Sequence, residues 1–161
     1  MALDKASVNI TASLLPDEIK TTVGGVINYE LNDQGDNNKW IYSLTIIGNS
    51  NEDLVVASVP FLGQGTSEEG ATATVNSSDD VVFLFMKHTG TTDGTTATTQ
   101  ELYFCLGGDT PDGNTDKEMI LKPNEVFCAR IAHAKINQIN AITQSGNIQV
   151  MVFAVIDDGG V

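Results

Sequence analysis

Two histidines, His88 and His133, are the residues best suited to move a proton near neutral pH. A hydrolase would set one of them beside an accessible serine, commonly in a Gly-x-Ser-x-Gly turn. That spacing does not occur. A dinucleotide-binding Gly-x-Gly-x-x-Gly is also missing, because Gly63-Gln64-Gly65 runs on into Thr66-Ser67-Glu68. No Gly-x-x-x-x-Gly-Lys phosphate loop follows any strand-like segment. Both histidines therefore read as loop or strand-end residues.

Cys105 and Cys128 are the only cysteines. No Cys-x-x-Cys spacing gathers thiolates for zinc, and two cysteines are too few for a disulfide framework. They read as two free thiols that pack as small apolar groups. The loop from Asp109 to Asp116 places Asp112, Asn114 and Asp116 at alternate positions, as a hard-cation loop requires. Lys117 stands where such a loop needs glycine, and the closing glutamate is missing, so a solvated turn is expected. Asp33 and Asp36 read the same way. Glu68-Glu69 and Asp79-Asp80 are adjacent carboxylates. Neighbours in a strand point to opposite faces, so adjacency does not build the acid/base pair of a glycosidase. The expectation is a protein that is not an enzyme, with no cofactor and no metal.

The elements that would position these groups are strands. Ala6–Ser13 alternates Val8 and Ile10 with polar neighbours, the pattern of a half-buried strand. Leu14-Leu15-Pro16-Asp17-Glu18-Ile19 suits at most one helical turn opened by Pro16. Gly24-Gly25 is expected to break extension before a weak strand at Val26–Leu31. Trp40–Ile47 is the clearest strand. Trp40, Tyr42 and Leu44 share one of its faces and are expected to fill the core. Leu54–Val59 is short and β-branched, stopped by Pro60, and Ala71–Val75 suits an edge strand. Val81–Met86 is apolar on both faces, as a central covered strand would be. Thr89–Thr99 reads as an exposed hairpin loop. Glu101–Leu106, Glu118–Leu121 and Glu125–Ala132 are strands. Ala134–Thr143 is expected to stay extended, and Ser145-Gly146 to form a tight hairpin turn into Asn147–Ile156. Many short strands with regular turns predict an all-β fold, an antiparallel β-sandwich of jelly-roll type.

The chain has 161 residues, with Lys+Arg 8 against Asp+Glu 21 and a net charge of -13. That length suits one domain with a real core. The charge argues against nucleic acid, whose phosphates demand clustered lysine and arginine, and against anionic membranes. No basic start leads into an apolar stretch, so no secretory signal is expected. The longest apolar runs fall far short of the roughly 20 residues of a membrane span. Aromatics are only 6%, which argues against a carbohydrate-binding module built on an aromatic platform.

Three segments carry a resemblance. They are Lys5-Ala6-Ser7-Val8-Asn9-Ile10, Lys87-His88-Thr89-Gly90-Thr91-Thr92-Asp93-Gly94-Thr95-Thr96, and Val152-Phe153-Ala154-Val155-Ile156-Asp157-Asp158. With them the chain resembles small virion structural proteins of tailed bacteriophages, the capsid decoration or cement proteins, particularly those of aquatic hosts. The resemblance implies a β-sandwich made in the bacterial host cytoplasm that attaches to the outside of the assembled head. It implies the major capsid protein as partner, and a homo-oligomer, often a trimer. A tail-fibre or receptor-binding module that recognises a host surface ligand is the alternative. In the decoration reading, residues 1–22 form an extended N-terminal arm and residues 23–161 a single sandwich domain. Val8, Ile10, Leu14, Leu15 and Ile19 are the candidate capsid contacts. Each contributes about 1.5–3 kcal/mol when fully buried.

Overall fold

Alternation of apolar and polar residues, read against which strand pairs with which, accounts for most of the architecture. The computed structural model describes residues 5–13, 22–30, 38–57, 61–63, 72–73, 75–113 and 118–157. In chain order the strands are β1 (Lys5–Ser13), β2 (Thr22–Glu30), β3 (Asn38–Ile47), β4 (Glu52–Asp53), β5 (Phe61–Gly63), β6 (Thr72–Ala73), β7 (Asp80–His88), β8 (Leu102–Cys105) and β9 (Met119–Leu121). Then come β10 (Val126–Lys135), a 3-10 turn (Ile136–Gln138), β11 (Asn140–Thr143) and β12 (Ile148–Asp157). That 3-10 turn is the only helical element among the described residues. None of their helices is long and apolar enough to cross a membrane.

The chain forms two compact units, Met1–Gly35 and Asp36–Val161. In the first, β1 and β2 pair antiparallel with each other alone, from Lys5 opposite Glu30 to Ser13 opposite Thr22. The break expected at Gly24-Gly25 does not occur. Gly24 and Gly25 pair with Thr11 and Ile10, and the continuous ladder carries the strand through them. Glycine weakens a strand without forbidding it. Thr22–Glu30 thus belongs with β1, and the units divide after Gly35 rather than after residue 22. Leu14, Leu15, Ile19 and the turn expected at Pro16 lie outside the described residues.

The second unit is an all-β, antiparallel, sandwich-like fold. Its larger sheet has six strands in the order β10-β7-β12-β3-β5-β6, and its smaller sheet four, β4-β11-β8-β9. The two share one apolar core. Ile41 of β3, Leu84 and Met86 of β7, and Val152 and Ala154 of β12 face it from the larger sheet. Leu102 and Phe104 of β8, Ala141 of β11 and Leu121 of β9 face it from the smaller. Phe104 meets Phe127 of β10 edge to face, with ring centroids 5.2 Å apart. As its two-sided apolar pattern predicts, β7 is central, paired with β10 on one side and β12 on the other.

Four local expectations are corrected. First, the face of β3 that carries Trp40, Tyr42 and Leu44 is not the core face. Ile41 and Ile47 are buried, whereas Tyr42, Leu44 and Ile46 are 55%, 53% and 42% exposed. Second, Leu54–Ala57 is not a strand, with Glu52–Asp53 pairing just before it; Ser58 and Val59 lie outside the described residues. Leu54 and Val55 are both buried, and consecutive strand residues cannot both point inward. The chain instead bends, and the Leu54 amide donates to the Ile139 carbonyl at 2.9 Å. Third, the 3-10 turn interrupts Ala134–Thr143. The amides of Ile136 and Asn137 donate to the carbonyls of Asp79 and Ser77, which sinks Ile136 into the core. Fourth, Ser145-Gly146 does not join paired strands. Strand β11 lies in the smaller sheet and β12 in the larger, so the turn is a corner between sheets. Gly146 takes φ 68 there and its carbonyl accepts from the Thr143 hydroxyl at 2.8 Å.

The inverted faces of β3 are directly measurable. Ile47 and Ile46 are neighbours on opposite faces. Ile47→Ala is expected to cost about 2–5 kcal/mol, and Ile46→Ala less than about 1 kcal/mol, by chemical denaturation of the full chain. Equal losses would contradict the assigned faces.

Candidate functional site

The outward face of the larger sheet follows from its registers. Strand partners that face each other share a side of the sheet. One row runs Leu44, Met151, Lys87, Val126, and the next Tyr42, Phe153, Phe85, Cys128. A third runs Trp40, Val155, Phe83, Arg130, and Ile46 lies beside Gln149 at the other end. Phe153 stands at the centre of an aromatic group, 6.0 Å from Trp40 and 6.1 Å from Phe83 between ring centroids. Phe83 and Val155 are fully buried, so the open part of the face is its Tyr42-to-Ile46 end. There Val126 is 55% exposed alongside Tyr42 and Leu44. The outer side of an antiparallel sheet is ordinarily polar. Here the rows from Ile46 to Trp40 carry Lys87 and Arg130, and the row beyond them holds Asp157, Asp80 and Lys135.

The ribbon of β1 and β2 is amphipathic in its own right. The register puts Ala6, Val8 and Ile10 on the same face as Gly25, Ile27 and Tyr29. The opposite face carries Ser7, Asn9 and Thr11 with Asn28 and the exposed Val26, and Ser7 donates to the Asn28 side-chain oxygen at 2.8 Å. Of the five candidate contact residues, the structure thus places Val8 and Ile10, on the apolar side. Ile10 is 45% exposed.

The groups that suggested chemistry are engaged in holding turns. His88 ends β7 on the core side, fully buried. Its Nδ1 accepts from the Gly90 amide at 3.0 Å, so Nε2 carries the proton and donates to the Gln100 carbonyl at 3.0 Å. Gly90 takes φ 78 to deliver that amide, and a Cβ there would come within 2.7 Å of the Asn124 side chain. The His88 backbone pairs with Asn124 and Glu125. His88 therefore ties the entry and exit of the threonine-rich loop to the turn before β10. The side chain of His133 lies outside the described residues.

Asp93 organises that loop. Its carboxylate accepts from the amides of Thr95 and Thr96 at 2.9 and 2.8 Å and from both hydroxyls. The amide bonds, first that of Thr96, hold its pKa down to about 2. The loop is not a hairpin between paired strands, since it passes from β7 in one sheet to β8 in the other. Its limbs are bridged at Thr91 and Ala97, and Thr89 and Thr91 continue the ladder to Gln149.

Asp79 and Asp80 diverge. Asp79 accepts from the Asn76 amide at 2.7 Å, while Asp80 lies 3.5 Å from the Lys135 ammonium. In the acidic loop the Glu118 carboxylate accepts from the amides of Asp112 and Gly113, and Asn114, Asp116 and Lys117 lie outside the described residues. No group of three or more His, Cys, Asp or Glu among the described residues is arranged to hold a metal ion. Cys105 and Cys128 are free, one buried and the other partly buried. Burial pushes the Cys128 thiol pKa up.

No protein-family model matches the chain, and no curated protein matches it.

Burial lowers the His88 pKa below its ordinary 6.5, against opposing pulls from the Gln100 carbonyl and the Glu125 charge. The unfolded chain therefore binds a proton that the folded chain refuses. The stability His88 confers is fully present above pH 6.5 and is lost as pH falls below it. Over the interval below pH 6.5 it declines by at most about 1.4 kcal/mol per pH unit. His88→Gln is expected to flatten that slope in denaturation series taken across the interval. A slope unchanged by the substitution would contradict the buried neutral imidazole.

Proposed function

We propose that the chain is a non-enzymatic virion structural protein that binds the outside of an assembled phage capsid, with the major capsid protein as partner, and reinforces it. The observation that carries this reading is the amphipathic ribbon. A two-stranded ribbon is marginal in water by itself, and this one has an apolar side with Val8, Ile10 and Ile27 and an opposite side with Ser7, Asn9 and Asn28 around Val26. Such an element suits docking onto another protein's surface. The resemblance to decoration proteins supplies the capsid as that surface.

Reinforcement needs many weak contacts repeated over a lattice. In an oligomer several arms engage at once, so each contributes through avidity as well as affinity. Localisation on the capsid exterior follows synthesis in the host cytoplasm under this reading. The net charge of -13 keeps the unattached chain soluble.

Co-sedimentation with undecorated heads tests it. Full-length protein is expected to pellet with heads. Val8→Asp and Ile10→Asp are each expected to weaken binding roughly ten- to a hundredfold, the worth of one buried aliphatic side chain. Asn9→Asp, on the opposite side, is expected to bind as the parent does. Circular dichroism of each variant reports whether the sandwich is intact. Binding to isolated tails or host cells with indifference to heads would replace this reading with the receptor-binding one.

A further inference from the structure

We infer that the peptide between Thr89 and Gly90 is a proton-operated switch, which turns over when the His88 ring is protonated and offers the ring its carbonyl in place of its amide. Both ring nitrogens of His88 are engaged with the threonine-rich loop. Nε2 donates to the Gln100 carbonyl at 3.0 Å, and Nδ1 accepts from the Gly90 amide at 3.0 Å. An imidazolium has no acceptor, because both of its nitrogens carry a proton. A proton taken from solvent lands on Nδ1 and sets one N–H against another. The Nε2 bond survives that change and the Nδ1 bond does not.

The peptides on either side are pinned elsewhere, so a single peptide answers. The Thr89 amide donates to the Gln149 carbonyl at 3.1 Å, and the Gly90 carbonyl accepts from the Thr98 amide at 2.9 Å. Turning over the peptide between them leaves both bonds in place. The turn carries Gly90 from φ 78 to negative φ, and glycine adopts either sign about as readily. A side chain at this position would run into that of Asn124. The turned carbonyl of Thr89 accepts the new proton on Nδ1. The buried imidazolium then donates two hydrogen bonds to two carbonyls, and neither of its protons is left unpaired.

The surrounding groups set the pH at which this happens. His88 is fully buried, and burial holds its pKa below the ordinary 6.5, against the Gln100 carbonyl and the charge of Glu125 in the turn before β10. Lys87, its neighbour in β7, points to the other face of the sheet. Asp93 holds its charge among Thr95 and Thr96 at the exposed end of the loop. Glu101, beside Gln100, accepts from the Tyr103 hydroxyl and lies 3.9 Å from the Lys122 ammonium. The switch therefore stays in its amide-facing state above pH 6.5 and turns below it.

Heteronuclear NMR of the isotope-labelled full chain, from about pH 7.5 down to acid unfolding, tests the inference. A hydrogen bond transmits a scalar coupling between the nuclei it joins. At the upper pH a coupling is expected between the Gly90 amide nitrogen and His88 Nδ1. As His88 titrates, that coupling is expected to vanish, and one from Nδ1 to the Thr89 carbonyl carbon to take its place. The Thr89 and Thr98 amides are expected to keep their protection from hydrogen exchange throughout. His88→Gln, whose amide accepts and donates but does not titrate, is expected to show no change at Gly90 over the same range. Glu125→Gln, at an exposed position, removes a charge that favours the proton and is expected to move the transition to lower pH. Absence of the Gly90 coupling at the upper pH overturns the inference, as does its persistence after His88 has titrated. A His88 that stays neutral until the whole chain unfolds, the same change at Gly90 in His88→Gln, or loss of protection at Thr89 or Thr98 alongside it, which is release of the whole loop, overturns it equally.

Discussion

A β-strand turns alternate side chains to opposite faces, and the central strands of this molecule are apolar on both. Strand β7 offers Leu84 and Met86 to one side and Phe83 and Phe85 to the other. Strand β12 does the same with Val152 and Ala154 against Phe153 and Val155. The smaller sheet covers one side and completes the core. Burying a large apolar side chain is worth about 1.5–3 kcal/mol, so the second side is a standing source of free energy for association. Part of it is already buried at Phe83 and Val155, and the remainder is open at Tyr42, Leu44, Ile46 and Val126.

The polar residues are arranged around that constraint. The turns at the two ends of β7 are closed by side chains that accept from backbone amides. Asp93 and Asp79 do this in water. His88 does it in the interior, where a neutral imidazole with one accepting and one donating nitrogen satisfies two backbone groups at once. A buried polar group costs little when both of its bonds are made. His88, Asp93 and Asp79 thus each hold a turn, for a physical reason specific to each.

The all-β class was legible, and so was the central place of β7, because a two-sided apolar run has few other homes. Alternation also marked β3 correctly as a strand, but alternation alone does not say which face is inside. Trp40, Tyr42, Leu44 and Ile46 form the heavier apolar set, yet Ile41 and Ile47 are the ones that meet the core. That choice depends on pairing with β12, a non-local fact. Sheet membership was hidden for the same reason, so Ser145-Gly146 and the threonine-rich loop looked like hairpins when they are passages between sheets. Gly24-Gly25 looked like a break because a lone strand there would fray; the partner strand β1 carries it through. The burial of His88 did leave a signal, since it stands two residues beyond Met86 and four beyond Leu84, on the same face.

The ribbon carries an apolar face, and the outer face of the larger sheet is open at Tyr42, Leu44, Ile46 and Val126. In this account the chain is an attachment protein whose free energy is spent on partners rather than on substrate. A reconstruction of intact particles by cryo-electron microscopy at side-chain detail tests that claim most directly. The account predicts the chain on the outside of the head, with Val8 and Ile10 of the ribbon against the capsid lattice. Density for the chain at the tail or inside the head, or a head-bound chain whose ribbon faces solvent, would contradict it.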